Sequence, residues 1–126
     1  MNLKEVLSYD KDPELIMGDV IRVLVLCKGK LWLSEVIMEV AGFRRTLGED
    51  PPKADDIKEA VRRLAKDNLV KVSRRLRADL SKSRGIADYI VELNVPPYMI
   101  WNISDNRLNR YIVIRNEVFR RALKRD

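Results

Sequence analysis

Apolar residues recur every three or four positions along residues 13–29, which is the spacing of one face of an α-helix. Asp12 precedes this stretch and is expected to cap the helix. Pro13 occupies the first helical position, where its missing N–H costs nothing. Gly29 suits the left-handed residue at which such a helix ends. The pattern therefore predicts a first helix between Asp12 and Gly29.

Two further helices are predicted before residue 70. The apolar run 31–33 is typical of a short strand, and Ser34 is expected to cap a second helix that ends at Gly42 or continues to Leu47. Residues 52–68 show helical spacing again after a turn rich in proline. The buried side of this third helix is predicted to consist of Ile57, Ala60, Val61 and Leu64.

The spacing changes from helical to alternating in residues 69–78 and 87–95, which predicts the two strands of a long hairpin. Pro96 and Pro97 end the hairpin, and residues 98–103 are typical of a further short strand. The inward face of the hairpin is predicted to consist of Val70, Val72, Leu76, Ala78, Tyr89, Val91, Leu93 and Val95.

A last helix is predicted over the C-terminal segment, with Ser104 or Asp105 as its cap. Apolar residues recur along it with helical spacing. The β-branched run 112–114 also fits a strand, so residues 110–114 are open to both interpretations.

The net charge of the 126-residue chain is +6, and it is unevenly distributed. Residues 1–60 contain 9 lysines and arginines against 12 acidic residues, whereas residues 61–126 contain 16 against 7. Such a concentration of like charge repels itself, which favours a polyanionic partner for the second half of the chain. The densest part of it is Arg74, Arg75, Arg77, Lys82 and Arg84, with Asp79 as the one acid among them.

The composition argues against an enzyme and against a membrane protein. The chain contains no histidine, a single cysteine, Cys27, and no CxxC, GxGxxG or P-loop motif, so we expect no catalysis, no metal and no cofactor. No apolar run approaches the ~20 residues of a membrane span, and no apolar signal region is present, so we expect a cytoplasmic protein. The absence of glutamine and the abundance of charge are typical of thermophilic proteins.

The order helix, strand, helix, helix, basic hairpin, helix resembles the winged helix-turn-helix family of DNA-binding proteins. The resemblance is carried by the sequences LSEVI at 33–37, VRRLAKDNLV at 61–70 and WNISD at 101–105. It implies a mainly helical α+β fold with a long basic hairpin, called the wing, and a C-terminal helix. It also implies a single domain over 1–126, with a winged-helix core at 12–103 and the last helix, at 104–126, as a dimerisation element.

The resemblance implies a dimeric transcription regulator that contacts double-stranded DNA through the third helix and the wing. It identifies no effector ligand. The predicted DNA contacts are Lys53, Lys58, Arg62, Lys66, Arg74, Arg75, Arg77, Lys82 and Arg84. The predicted homodimer contact consists of Leu108, Tyr111, Val118, Phe119 and Leu123, which Leu3, Val6 and Leu7 could join. The alternative is that the last helix packs on the chain's own core.

Two alternatives keep the same fold and change the partner. Asp55 and Asp56 begin the third helix, where carboxylates would oppose phosphates, and this favours a winged-helix subunit that binds other proteins. An RNA-binding module is less favoured, because RNA-binding sheets expose aromatic residues. Here Tyr89 alternates with inward residues, and Trp101 lies in an apolar run.

Overall fold

The computed structural model describes residues 1–79, 82–102 and 104–124, with the backbone alone at residues 79, 82–84 and 97. The fold is α+β and mainly helical, as predicted. In chain order the elements are α1 (Leu3–Ser8), α2 (Glu14–Leu26), β1 (Lys30–Trp32), α3 (Leu33–Thr46), α4 (Ala54–Lys66), β2 (Val70–Asp79), β3 (Lys82–Leu93), α5 (Pro97–Trp101) and α6 (Asn106–Leu123).

The three strands form one antiparallel sheet in the order β1-β3-β2. Val91 of β3 lies opposite Leu31 of β1 and Val72 of β2, so β3 is the central strand. Because β2 and β3 are joined directly, they form the predicted hairpin, and β1 covers the outer edge of β3 near the hairpin base. This element order and pairing are compatible with a winged helix.

The core forms where α2 crosses α3 and α4 above the base of the sheet. Leu24 of α2, Val40 of α3 and Val91 of β3 are completely buried in it. On α4, the apolar stripe predicted from the sequence is buried as expected, and it consists of Ile57, Ala60, Val61 and Leu64.

Two short helices differ from the predicted elements. Helix α1 was not predicted, and its apolar side, consisting of Leu3, Val6 and Leu7, is buried in the chain's own core and not available to a second copy. Helix α5 replaces the strand predicted at 98–103, because a proline at the first helical position favours a helical turn, and Ile100 then reaches the core. Residue 103 of that prediction lies outside the described residues.

The predicted caps are correct at one helix and wrong at two. Asp105 caps α6 by accepting a hydrogen bond of 2.7 Å from the Leu108 N–H. Asp12 does not cap α2, because its carboxylate accepts two hydrogen bonds from Arg44. Ser34 does not cap α3, because its hydroxyl donates to the carboxylate of Asp88 at 2.7 Å. Both wrong predictions therefore concern side chains that bind residues distant in sequence.

Helix α6 settles the two interpretations of residues 110–114 in favour of a helix. Its first half packs against α3, where the rings of Tyr111 and Phe43 stack at a centroid distance of 4.8 Å. Leu108 is buried in the chain's own core, which corrects its predicted place in a dimer contact. Tyr111 is likewise partly covered by its own chain.

A buried network of charges joins the C-terminal helix to the body of the protein. At its centre is the completely buried carboxylate of Asp19 on α2, which accepts hydrogen bonds from Arg22, Arg44 and Arg107 at 2.8–3.0 Å. These three arginines come from α2, α3 and α6, so one carboxylate connects three helices. A buried charge with several hydrogen-bonded partners avoids the cost of an unpaired one.

The arginines of the network bind further oxygens. Arg22 donates to both carboxylate oxygens of Asp105, at 2.9–3.1 Å, and to the carbonyl of Leu7 at 3.0 Å. Arg107 forms a bidentate pair with Glu49, in which both distances are 2.9 Å. Asp105 therefore caps α6 and also anchors the start of that helix to α2.

Gly18 makes room for this network on α2. A Cβ added at Gly18 would lie 2.7 Å from Nη1 of Arg22 and 3.2 Å from the carbonyl oxygen of Val6. The absence of a side chain thus lets α1 approach α2 and lets the guanidinium of Arg22 lie flat between them.

We expect Gly18→Ala to destabilise the protein by about 1–3 kcal/mol, because the added methyl group displaces Arg22 or α1. The matched control is Gly42→Ala in α3, where a Cβ meets nothing within 4 Å. That change should stabilise by about 0.5–1 kcal/mol through helix propensity alone. Urea unfolding of both variants measures the difference, and equal effects would contradict the proposed crowding at Gly18.

The network also predicts a pH dependence. The hydrogen bond from Arg107 holds the pKa of Glu49 below its ordinary value of 4.5. A carboxyl group with a lowered pKa stabilises the fold above its ordinary pKa, and this stability is lost as the pH falls from 4.5 through the folded value. We expect Glu49→Gln to be less stable at pH 7 and to lose less stability below pH 4.5 than the wild type. Urea titrations at pH 7 and pH 3.5 check this, with Glu39→Gln as a control outside the network.

Candidate nucleic-acid interface

The hairpin of β2 and β3 leaves the core soon after its base. Val70 and Val91 are buried, but further along the same face Leu76 is 74% exposed and Tyr89 is 43% exposed. The predicted inward face is therefore correct only near the core and wrong beyond it, because among the described residues no other element covers this face of the hairpin at Leu76. The part of the hairpin beyond Val72 and Val91 is called the arm, and it carries polar and apolar side chains on both faces.

Among the described side chains of this arm, Arg74 and Arg75 are exposed cations. As neighbours on β2 they point to opposite faces, Arg74 opposite Tyr89 and Arg75 opposite Asp88. Within the described side chains, neither guanidinium forms a salt bridge, and Arg75 donates only a long hydrogen bond of 3.3 Å to the carbonyl of Arg74. Both charges are therefore available to a partner.

Arg77 differs from its neighbours because its guanidinium binds within the chain. It donates to the hydroxyl of Ser34 at 2.9 Å, lies 3.6 Å from the carboxylate of Asp88, and sits 5.8 Å from the centre of the Trp32 ring. Burial alone would raise the pKa of Asp88, but the hydrogen bond from Ser34 and the charge of Arg77 outweigh it and lower the pKa. Arg77 thus ties the hairpin to the beginning of α3.

Near its tip the hairpin departs from regular pairing. The register changes between Arg77 and Asp79, and Gly85 has a φ of +72°. A Cβ at Gly85 would lie 2.7 Å from the carbonyl oxygen of Arg77, so this irregularity requires glycine. The side chains of Lys82 and Arg84 lie outside the described residues, and their DNA contacts stay predictions.

The predicted cations of α4 are exposed, but they lie on different parts of the surface. Lys58 lies in a groove of about 400 Å³ between α3, α4 and the hairpin, together with Arg77 and Tyr89. Lys66 faces another depression, near Tyr9. Lys53 immediately precedes the helix and is exposed.

Arg62 is the exposed cation of α4 that is already paired. Its Nε donates to Glu59 at 2.8 Å, and this hydrogen bond raises the pKa of Arg62 and lowers that of Glu59. Asp55 and Asp56 are exposed in the first turn, where the helix dipole favours acids. The face of α4 is thus of mixed charge, and the structure groups only Lys58 of the predicted α4 cations with the hairpin.

The second half of α6, residues 115–123, exposes large apolar side chains. Val118 is 62% exposed, Phe119 is 56% exposed and Leu123 is 85% exposed. The guanidinium of Arg115 lies between the rings of Tyr111 and Phe119, at 6.0 and 5.7 Å from their centres. These side chains remain available to a partner, in contrast to Leu108.

Aromatic exposure corrects one argument made from the sequence. Tyr89 was expected to face inward and Trp101 to lie in an apolar strand, but Tyr89 is exposed on the hairpin and Trp101 on α5, next to the exposed Tyr98. Those positions therefore no longer weigh against RNA. The residues missed by the sequence analysis are Ser34, Asp88 and Trp32, and the signal for them was the alternation that places Asp88 on the same face as Arg75 and Arg77.

The described residues contain no cluster of cysteine, aspartate and glutamate suited to holding a metal ion. Cys27 ends α2 in a half-buried position, and partial burial raises the pKa of its thiol, which disfavours the reactive thiolate. Within the described ranges, no helix has both the length and the apolar character of a membrane span.

No protein-family model matches the chain, and no curated protein matches it. Among solved structures, the chain is similar to the structure of the transcriptional regulator homologue protein from Pyrococcus horikoshii OT3. The two align over 98% of this chain and 97% of that chain, with 16% sequence identity and a TM-score of 0.37. The resemblance is distant at these values, so neither the fold nor the function of this chain follows from it.

Proposed function

We propose that this protein binds duplex DNA as a homodimeric transcription regulator, with the hairpin acting as the wing of a winged helix. The observation that carries the proposal is the pair of exposed arginines, Arg74 and Arg75, on an arm that extends beyond the core. Arginine binds phosphate oxygens in a bidentate manner and remains charged at any physiological pH. Two such groups on an arm suit the backbone of a nucleic acid.

The groove beside the hairpin supports a contact that includes α4. Lys58 is exposed there and lies next to the hairpin, so one phosphate strand could run between them. Arg62 contributes less, because Glu59 already neutralises it. Asp55 and Asp56 would repel phosphates at the first turn, so α4 is expected to tilt that turn away from the duplex while Lys58 contacts the phosphates.

The dimer is proposed from the apolar stripe of α6. The apolar positions 108, 111, 112, 118, 119 and 122 recur with helical spacing and fall on one side of the helix, where Arg115 also lies. The first three are covered by the chain's own core, whereas the stripe continues along residues 115–123 without cover among the described residues. We propose that a second copy covers it, and that the whole chain is a single domain, because α1 and α6 share one core with α2.

A protein-interaction subunit is the second candidate function. It is favoured by the acidic first turn of α4, which lies on the surface where a DNA-reading helix would carry base-reading side chains. In this case the exposed end of α6 would bind a different protein and not a second copy. An RNA-binding module also remains a candidate, because Tyr89 is exposed beside Arg74.

We expect wild-type protein to bind duplex DNA at low salt with a steep salt dependence, since each neutralised phosphate releases counterions. The double variant Arg74→Ala, Arg75→Ala should bind more weakly and reduce the slope of log K against log [salt] by about 1.8. Fluorescence anisotropy at several salt concentrations measures both quantities.

The matched control for this titration is Arg120→Ala, Arg121→Ala. It removes the same net charge from α6, where both guanidinium groups already pair with Glu117. Its slope should stay close to that of the wild type. If the wild type does not bind duplex DNA at low salt, the DNA function is wrong and the protein-interaction function replaces it. Tighter binding to single-stranded or double-stranded RNA of the same length would favour the RNA alternative.

For the dimer, we expect the wild type to sediment as a dimer at micromolar concentration and Phe119→Asp to sediment as a folded monomer. Phe119 is more than half exposed within its own chain, so the charge should disrupt the contact between copies and not the core. The control Val113→Asp changes an exposed residue on the opposite side of α6 and should remain dimeric. A monomeric wild type, or a Phe119→Asp variant that unfolds, would contradict the proposal.

A further inference from the structure

Leu76 is the most exposed apolar residue of the hairpin, with 74% of its side-chain and backbone surface accessible. It lies six residues beyond the buried Val70, which is about 20 Å along an extended strand. At this distance Leu76 cannot contribute to the core. A single exposed leucine is common on protein surfaces, so the inference depends on what surrounds it.

The surroundings of Leu76 are a small residue, a cation and an aromatic ring. Ala87 lies directly opposite Leu76 in the hairpin, and its methyl group leaves the leucine standing above the sheet. Arg74 and Tyr89 form the adjacent pair on the same face, so a cationic and an aromatic side chain lie next to Leu76. Arg75 precedes Leu76 and points to the other face of the strand.

Charge decides which partner this face suits. A second hairpin placed against this face would bring Arg74 close to its own counterpart, and the like charges would oppose that contact. A polyanion is attracted and not repelled, because its phosphates carry the charge opposite to that of arginine. The minor groove of duplex DNA has phosphates on both walls and apolar sugar faces between them. A two-stranded hairpin can bring a cationic and an apolar side chain to it together.

We propose that Leu76 is an apolar wedge that enters the minor groove beside a phosphate held by Arg74, its neighbour on the same face, and partly separates a base step. The inference rests on the proposed DNA function and adds to it a residue that acts without charge. Wedges of this kind bend the duplex and favour steps that unstack readily, such as TA and CA. The wing would then select deformable DNA without hydrogen bonds to base edges.

The test compares wild type, Leu76→Ala and Leu76→Phe on two duplexes of equal length, one with a central TA step and one with a central A-tract. We expect the wild type to prefer the TA duplex and to bend it, as measured by energy transfer between dyes at its two ends. Leu76→Ala should bind the TA duplex about tenfold more weakly at every salt concentration, with an unchanged salt slope. Leu76→Phe should keep the preference and the bend, since the ring can also insert.

The matched control is Val113→Ala, which removes an equally exposed apolar side chain from α6. It should leave affinity, preference and bend unchanged. Duplex binding by the wild type with no effect of Leu76→Ala would overturn the wedge and leave the DNA function intact. The wedge would also be overturned if Leu76→Ala lost binding to single-stranded DNA and kept binding to duplex DNA, or if this variant changed its oligomeric state. Absence of any duplex binding by the wild type would overturn both proposals.

Discussion

The buried carboxylate of Asp19 is the interaction on which the arrangement of the helices depends. Its arginine partners reach it from within α2 and from α3 and α6, and each of them is held in turn by another oxygen of the chain. Replacing Asp19 would take one acceptor from three guanidinium groups at once, two of which, those of Arg22 and Arg44, are buried. An incompletely paired buried charge is costly, whereas an intact buried pair contributes little over an apolar substitute. We infer that the network contributes more to specifying one arrangement of the helices than to net stability.

The position of α6 is fixed by this network together with the packing of Leu108 and Tyr111 on the core. Arg107 binds Asp19 and Glu49, and Asp105 binds Arg22, so both anchors lie at the beginning of α6. An anchor at one end fixes the direction in which the rest of the helix leaves the body. The apolar side of residues 115–123 is thereby presented in a defined orientation, which is what a two-fold contact with a second copy would require.

Local patterns predicted the elements well, and long-range contacts explain where they failed. The stripe of α4 and the alternation of β2 and β3 are periodic within a few residues, so the sequence alone was sufficient for them. Asp12 and Ser34 occupy typical capping positions, but their partners, Arg44 and Asp88, are 32 and 54 residues away. The central role of Asp19 could not be predicted either, because an acid inside an apolar helical stretch does not indicate which three arginines bind it.

The arginines of the candidate site also could not be distinguished from the local sequence. Arg74, Arg75 and Arg77 read alike in the sequence, yet Arg77 binds Ser34 and Asp88 while the other two remain exposed. This difference has a mechanical consequence. Arg77 lies further out along β2 than Arg74 and Arg75, and its hydrogen bond to Ser34 joins the arm to the beginning of α3, so this contact resists bending of the segment that carries the two exposed arginines. For the proposed DNA contact, we expect an arm held in this way to bring Arg74 and Arg75 to the phosphates at a lower cost in conformational entropy than a free hairpin, so that Arg77 assists binding without touching the partner.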